Sequence, residues 1–250
     1  MIRVRVVVPC TSVADELAFA SLGDAVRAIA DRSAARIVGG HMVGLLLTAF
    51  PVDGLAARRT VDADAGVSTE IAARGDVVDR LLADGYRATA GNRFERDGRT
   101  IDLLVESLDG RFRPRHLGGR HFDTSPGLDV VLAQDPIEVD TTVVDTHGRE
   151  ERFVVRVPTV EMATILKTYA WASRRSTKDL ADLGHLLEIR HAHGADAVGG
   201  WALDTEPVSG RRLDTARTLR SIRPADARFA DSGIAGPRFV ALIREYIAVV

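Results

Sequence analysis

The segment RRTVDADAGV, residues 58–67, sets Asp62 and Asp64 one residue apart in a stretch that otherwise alternates as a half-buried strand. Carboxylates are poor strand formers, so their presence there asks for a reason. Strand side chains alternate between faces, which puts both acids on one surface, roughly 6 to 7 Å apart at a rise of about 3.3 Å per residue. A third carboxylate, Asp102, lies inside the apolar run RTIDLLVES, residues 99–107. If the two strands are neighbours, the three acids form a cluster for hard divalent cations such as Mg²⁺ or Mn²⁺, which favour oxygen ligands. Two such ions held about 4 Å apart can activate an attacking hydroxyl and stabilise a leaving pyrophosphate, so the chemistry suited to the cluster is phosphoryl transfer. An Asp-x-Asp pair by itself is also what a turn or a solvated strand face carries.

Upstream context adds to the pair. RIVGGHMVGLLL reads as a strand, a Gly39-Gly40 turn and a helix start. Backbone amides exposed at such a turn make an anion cradle suited to a triphosphate, although glycine pairs also end strands for steric reasons alone.

The elements that must position these residues follow from periodicity. Residues 14–34 carry helical spacing of Leu17, Phe19, Leu22, Val26 and Ile29, and 35–40 read as a strand ending in the glycine turn. A helix over 41–50, a loop at 51–55 and a strand over 60–67 come next. One helix is predicted over 70–83, closed by Gly85. Strands over 86–95 and 100–106 are joined across Asp97-Gly98, a strong hairpin pair. Residues 109–127 are rich in glycine, arginine and histidine and read as loop, followed by strands over 128–144 and 152–157. From Thr159 the pattern becomes helical. The expected fold class is therefore α+β, a mixed sheet with flanking helices over 1–158 and a helical C-terminal region over 159–250.

Composition bounds the function. With 46% apolar residues, 27% charged residues and a net charge of -2 over 250 residues, the chain reads as an ordinary globular protein without a strong electrostatic field, so any nucleic-acid contact must be local. No signal peptide and no membrane-spanning run is apparent, and a cytoplasmic location is expected. Cys10 is the single cysteine, which excludes an intrachain disulfide and a multi-thiolate metal site. Of 33 basic residues only Lys167 and Lys178 are lysines. Both fall in VPTVEMATILKTYAWASRRSTKDLADLGHLLEI, where a compact ammonium has been kept against an arginine bias. That segment reads as two helices, with Ser176 as a cap before Asp179 and Lys178 spaced to pair with Asp182 at i, i+4.

Taken in order, IVGG, RRTVDAD and IDLLV resemble the polymerase-beta-type nucleotidyltransferase superfamily, and within it the AbiEii/MenT-like branch of toxin nucleotidyltransferases. The matching positions are Gly39 and Gly40; Arg58, Thr60, Asp62 and Asp64; Asp102; Leu166 and Lys167; and Lys178 and Asp179, covering roughly 36–187. Gly40 stands where the family often has serine, with His41 following, and the interval from Gly40 to Asp62 is longer than usual. The resemblance implies a nucleoside triphosphate donor cradled at Gly39, Gly40 and His41 with Arg58, Thr60 and Lys178 nearby. It implies metal ions on Asp62 and Asp64, with Asp102 as ligand or as the base that takes the acceptor's proton. Lys167 is implied to face the phosphates, with Asp179 or Asp182 organising the site. For the branch it further implies an RNA acceptor, the tRNA 3′ end, and a cognate antitoxin.

Two arginine groups have the composition to meet polyanions: Arg111, Arg113, Arg115 and Arg120 with His116 and His121 in the glycine-broken loop, and Arg211, Arg212, Arg217 and Arg220 on a C-terminal helix. Either also suits a solvated surface. A zinc site at His116, His121 and Asp123 matches no usual spacing. Two other functions fit an Asp-x-Asp pair: a metal-dependent glycosyltransferase, which needs a larger nucleotide-binding half than residues 1–61 provide, and a non-catalytic nucleotide- or nucleic-acid-binding module.

Overall fold

In the computed structural model, which describes residues 1–250, period-two and helical patterns resolve into ten strands and ten helices of an α+β protein. Two compact units form: one from Met1–Ala49 and Ala57–Pro158, the other from Phe50–Ala56 and Thr159–Val250.

The first unit opens with a valine-rich strand, β1 (Ile2–Pro9). Helix α1 (Val13–Ile29) follows, capped by Ser12, whose hydroxyl accepts the Asp15 amide. Strand β2 (Ala35–Val38) runs directly into α2 (Gly39–Ala49), and β3 (Asp62–Val67) carries the aspartate pair. Next come α3 (Thr69–Arg74), α4 (Asp76–Ala83), β4 (Arg87–Ala88), β5 (Arg93–Arg96), β6 (Arg99–Glu106), β7 (Arg115–Leu117) and β8 (Arg120–Ser125). A short α5 (Leu128–Leu132) precedes β9 (Ile137–Val144) and β10 (Glu150–Val157).

The larger sheet has the order β2-β3-β6-β5-β4. Strand β3 is antiparallel to β2 and parallel to β6, and β6 is antiparallel to β5. The far half of β6 pairs with β8 instead, Leu104 to Glu106 against Asp123 to Ser125. Beneath this sheet's acidic face lies an apolar one: Ala63, Ala65, Phe94, Ile101 and Leu103 are all fully buried. A separate three-stranded sheet, β1-β9-β10, sets β1 parallel to β9 and β10 antiparallel to it.

Several sequence expectations are corrected here. The single helix expected over 70–83 divides at Gly75, whose φ of 79° is left-handed and both ends α3 and starts α4. The strand expected over 86–95 is two short strands folded back on each other, β4 on β5. The loop expected over 109–127 contains the β7–β8 hairpin. The strand expected from Leu128 begins as helix α5, with Leu128 and Val131 buried one turn apart; a short apolar run does not by periodicity alone separate the two states. The Asp97-Gly98 turn forms as read, with positive φ at both residues, 48° and 78°, which matches the twist of a tight hairpin.

The second unit is helical. It holds α6 (Val160–Arg174), capped by Thr159; α7 (Thr177–Ala197), capped by Ser176 and interrupted at Gly194; α8 (Gly210–Arg220); α9 (Phe229–Ser232); and α10 (Gly236–Tyr246). Trp171, Leu180, Leu183, Leu219 and Phe239 form its core. The 50–56 segment joins it through the Pro51 carbonyl, 2.9 Å from His193 Nε2, and through Phe50 edge-on to the same ring. No helix is long and apolar enough to cross a membrane.

Gly91 lets the turn before β5 lie against β8: a Cβ there would stand 1.9 Å from the His121 carbonyl oxygen. Gly91→Ala must move backbone, and a loss of about 1–3 kcal/mol is expected in urea unfolding.

Candidate metal and nucleotide site

Parallel pairing of β3 on β6 puts Asp64 level with Asp102, and Asp62 level with Thr100. Both acids of β3 are half-buried, while Asp102 is 7% exposed. One carboxylate oxygen from each of Asp62, Asp64 and Asp102 lies within 4.8 Å of the others. No other group of three His, Cys, Asp or Glu side chains converges in this way; His116 and His121 only meet edge to face as cross-strand partners. The donor set is all carboxylate oxygen, which fits a hard divalent ion such as Mg²⁺ or Mn²⁺.

The glycine turn packs directly on this cluster. Val38 pairs with Asp64, so Gly39 follows immediately beside it, and a Cβ on Gly39 would fall 1.8 Å from Asp64 Oδ2. Its φ of 66° is a second reason for glycine. At Gly40 a Cβ would meet Thr60 Oγ1 at 2.7 Å and Arg58 Nη2 at 3.1 Å, which accounts for glycine where the resembled family often has serine. Thr60 Oγ1 in turn donates to Asp62 Oδ1 at 3.1 Å. Gly39, Gly40, Arg58, Thr60, Asp62, Asp64 and Asp102 are thus one constellation.

His41 has a different setting from the one expected. It is 4% exposed, packs edge-on to Phe19, and its Nε2 has no partner, in a cleft lined also by Leu45, Arg58 and Thr60. Burial pushes its pKa down to about 4, against the opposing pull of the Asp62 charge. The ring is therefore neutral near pH 7.

Arg93 was not singled out by its sequence, yet it belongs to the row. Antiparallel pairing sets it opposite Asp102, and its Nε and Nη2 donate to Asp102 Oδ1 and Oδ2 at 3.0 and 2.7 Å. That chelate holds the Arg93 pKa above its ordinary value.

In the helical unit, Lys167 is buried and paired with Asp182 at 2.6 Å and with Asp179 at 3.7 Å. Arg174 chelates Asp179 at 2.5 and 2.7 Å. The pair expected between Lys178 and Asp182 does not form: Asp182 faces inward to Lys167, and Lys178 is exposed at the first turn of α7, its backbone amide donating to Ser176 Oγ. Of the arginines considered for polyanions, Arg212 is held by Glu161 and Arg220 by the Ala248 carbonyl, while Arg120 bonds the Gly91 carbonyl.

No protein-family model matches the sequence, and comparison with curated proteins gives no match. Among solved structures, the chain is similar to the antibiotic-resistance factor ANT(2'')-Ia, with 15% identity, 74% of this chain and 88% of that one covered, and a TM-score of 0.40. It is also similar to an antigenic nucleotidyltransferase-like protein from Paracoccidioides brasiliensis, with 16% identity, coverage of 94% and 95%, and a TM-score of 0.43. Likeness at this level assigns no activity.

Two outcomes follow. A histidine kept neutral in the fold binds fewer protons than its unfolded counterpart between pH 6.5 and 4, so its contribution is whole above pH 6.5 and is lost as pH falls toward 4. His41→Asn should flatten that limb of the stability–pH curve, by about 3 kcal/mol across the window. Lys167→Ala strands buried carboxylates, and chemical unfolding should register a loss of about 3–5 kcal/mol.

Proposed function

We propose that this protein is a nucleotidyltransferase, moving a nucleoside monophosphate from a nucleoside triphosphate to a hydroxyl acceptor. The observation that carries the reading is the convergence of the Asp62, Asp64 and Asp102 oxygens within 4.8 Å, directly against the glycine-led start of α2. Divalent ions, when bound, supply charge neutralisation at the phosphates and a lowered pKa for a ligated hydroxyl.

The chain's own residues have separable parts. Asp62, Asp64 and Asp102 hold the ions. Backbone amides of Gly39 and Gly40 at the N-terminus of α2 receive phosphate oxygens, where the helix dipole favours anions. Arg58, beside Gly40, adds a guanidinium, and Thr60 orients Asp62 through its hydroxyl. Asp102, level with Asp64 in the sheet and converging with both acids of β3, is assigned as ligand. His41, neutral and buried, shapes the cleft wall instead of touching phosphate. Lys167 and Asp179, the residues implied by the AbiEii/MenT-like resemblance, pair with each other inside the helical unit, and a part for them in substrate binding rests on that resemblance alone. The finer reading, RNA with a tRNA 3′ end as acceptor and a toxin role with an antitoxin, rests on that resemblance, with Lys178 exposed for a phosphate contact.

The Arg93 chelate of Asp102 favours one second reading, a nucleotide-binding module in which the acid is structural. Incubation with labelled triphosphates, Mg²⁺ and total RNA separates the two. Label transfer should fall by on the order of a hundredfold or more in Asp64→Asn and in Asp62→Asn, about 3 kcal/mol of barrier, with both variants folded by circular dichroism. Nucleotide binding without transfer to any acceptor supports the module, and transfer that survives Asp64→Asn removes the triad from the mechanism.

A further inference from the structure

Arg93 and Asp102 face each other across β5 and β6 on the row that begins with Asp64. The guanidinium uses one hydrogen-bonding direction on each Asp102 oxygen, at 3.0 and 2.7 Å. The partners differ in freedom: the Asp102 side chain is 10% exposed, whereas that of Arg93 is 46% exposed. An arginine so placed can leave its carboxylate by rotating about its own side chain, with no movement of the backbone.

We propose that Arg93 competes with divalent cations for Asp102 and so sets the metal affinity of the triad. The inference rests on the metal-binding reading of Asp62, Asp64 and Asp102. Two effects act in the same direction. Bidentate hydrogen bonds occupy acceptor sites that an ion would otherwise use, and a positive charge within 3 Å of a ligand oxygen repels an ion seated there. Metal loading then exchanges one cation for another at Asp102, and the released guanidinium stands beside the site as a donor for an anionic oxygen of the substrate. This is a different role from a brace that merely orients the ligand, because a brace strengthens metal binding and a competitor weakens it.

Calorimetric titration of the full chain with Mn²⁺, without nucleotide, tests the sign. Arg93→Gln should bind Mn²⁺ roughly tenfold tighter than the unaltered protein. Asp102→Asn should bind it roughly tenfold more weakly, and the double variant should show none of the gain, because the gain acts through Asp102. Arg93→Lys, whose ammonium cannot chelate both oxygens, should tighten binding by a smaller factor and carries the test if Arg93→Gln does not fold. Equal or weaker binding by the folded Arg93 variants overturns the proposal while leaving the metal site intact. Failure of the unaltered protein to bind Mn²⁺ at millimolar concentration overturns the metal-site reading itself.

Discussion

Three carboxylates held close together are the constraint from which the rest of the first unit follows. At 4.8 Å and an effective dielectric of about 20, each pair repels by on the order of 3 kcal/mol before solvent screening. What holds them there is the other side of the sheet. Ala63, Ala65, Ile101 and Leu103 are fully buried, and because side chains alternate with period two, the register that buries them turns the acids to the opposite face. A slip of one residue between β3 and β6 would send carboxylates into the core. Burying a large aliphatic side chain contributes about 1.5–3 kcal/mol, so Ile101, Leu103 and Phe94 together can hold the acidic face against its own repulsion.

Counter-charge takes two forms in the protein. Arginine forks chelate single carboxylates, Arg93 on Asp102 beside the sheet and Arg174 on Asp179 among the helices. In the helical unit a single ammonium, Lys167, reaches two carboxylates on successive turns of α7, Asp179 and Asp182. A planar fork is shaped to chelate one carboxylate, and a compact point charge can sit between two. That difference gives a physical reason for a lysine at 167 in a chain otherwise furnished with arginine. Nothing in the structure explains the lysine at 178, which is exposed.

Much of this constellation is legible in the sequence, and the rest is hidden for identifiable physical reasons. The alternation at 60–67 and the apolar run at 100–106 place the acids on strands, and the glycine pair marks a turn whose close contacts account for it. Arg93 was within reach of the same reasoning: a two-residue turn at Asp97-Gly98 aligns Arg96 with Arg99 and hence Arg93 with Asp102, but extending one strand back to residue 86 hid the register. The inward turn of Asp182 was harder to see, because i, i+4 spacing from Lys178 is a local rule, and tertiary burial of the α7 face with Lys167 overrode it. The helix at 128–132 escaped for a similar reason, four apolar residues being compatible with either period. His41 was read as part of a phosphate cradle from its place after the glycines. On α2 its ring turns into the packing against α1 instead.

The same unit contains a buried acid that shows what a purely structural carboxylate looks like. Asp24 accepts from Tyr86, Arg96 and Arg99 at one oxygen, at 2.7, 2.8 and 2.8 Å, and from Arg27 at the other. Burial pushes its pKa up, but the hydrogen bonds from Tyr86, Arg99 and Arg27 outweigh that and hold it below the usual carboxylate range. Four protein donors, three of them guanidinium groups, surround it. Asp102 is comparably buried, yet its protein partner is a single arginine, one bond to each oxygen. A carboxylate has about four acceptor sites, so the two bonds from Arg93 leave about half of its capacity without a protein donor. Burial and ion pairing alone therefore do not separate the two acids. A smaller number of protein donors, beside two other carboxylates, does, and it is the property that sets Asp102 apart from Asp24.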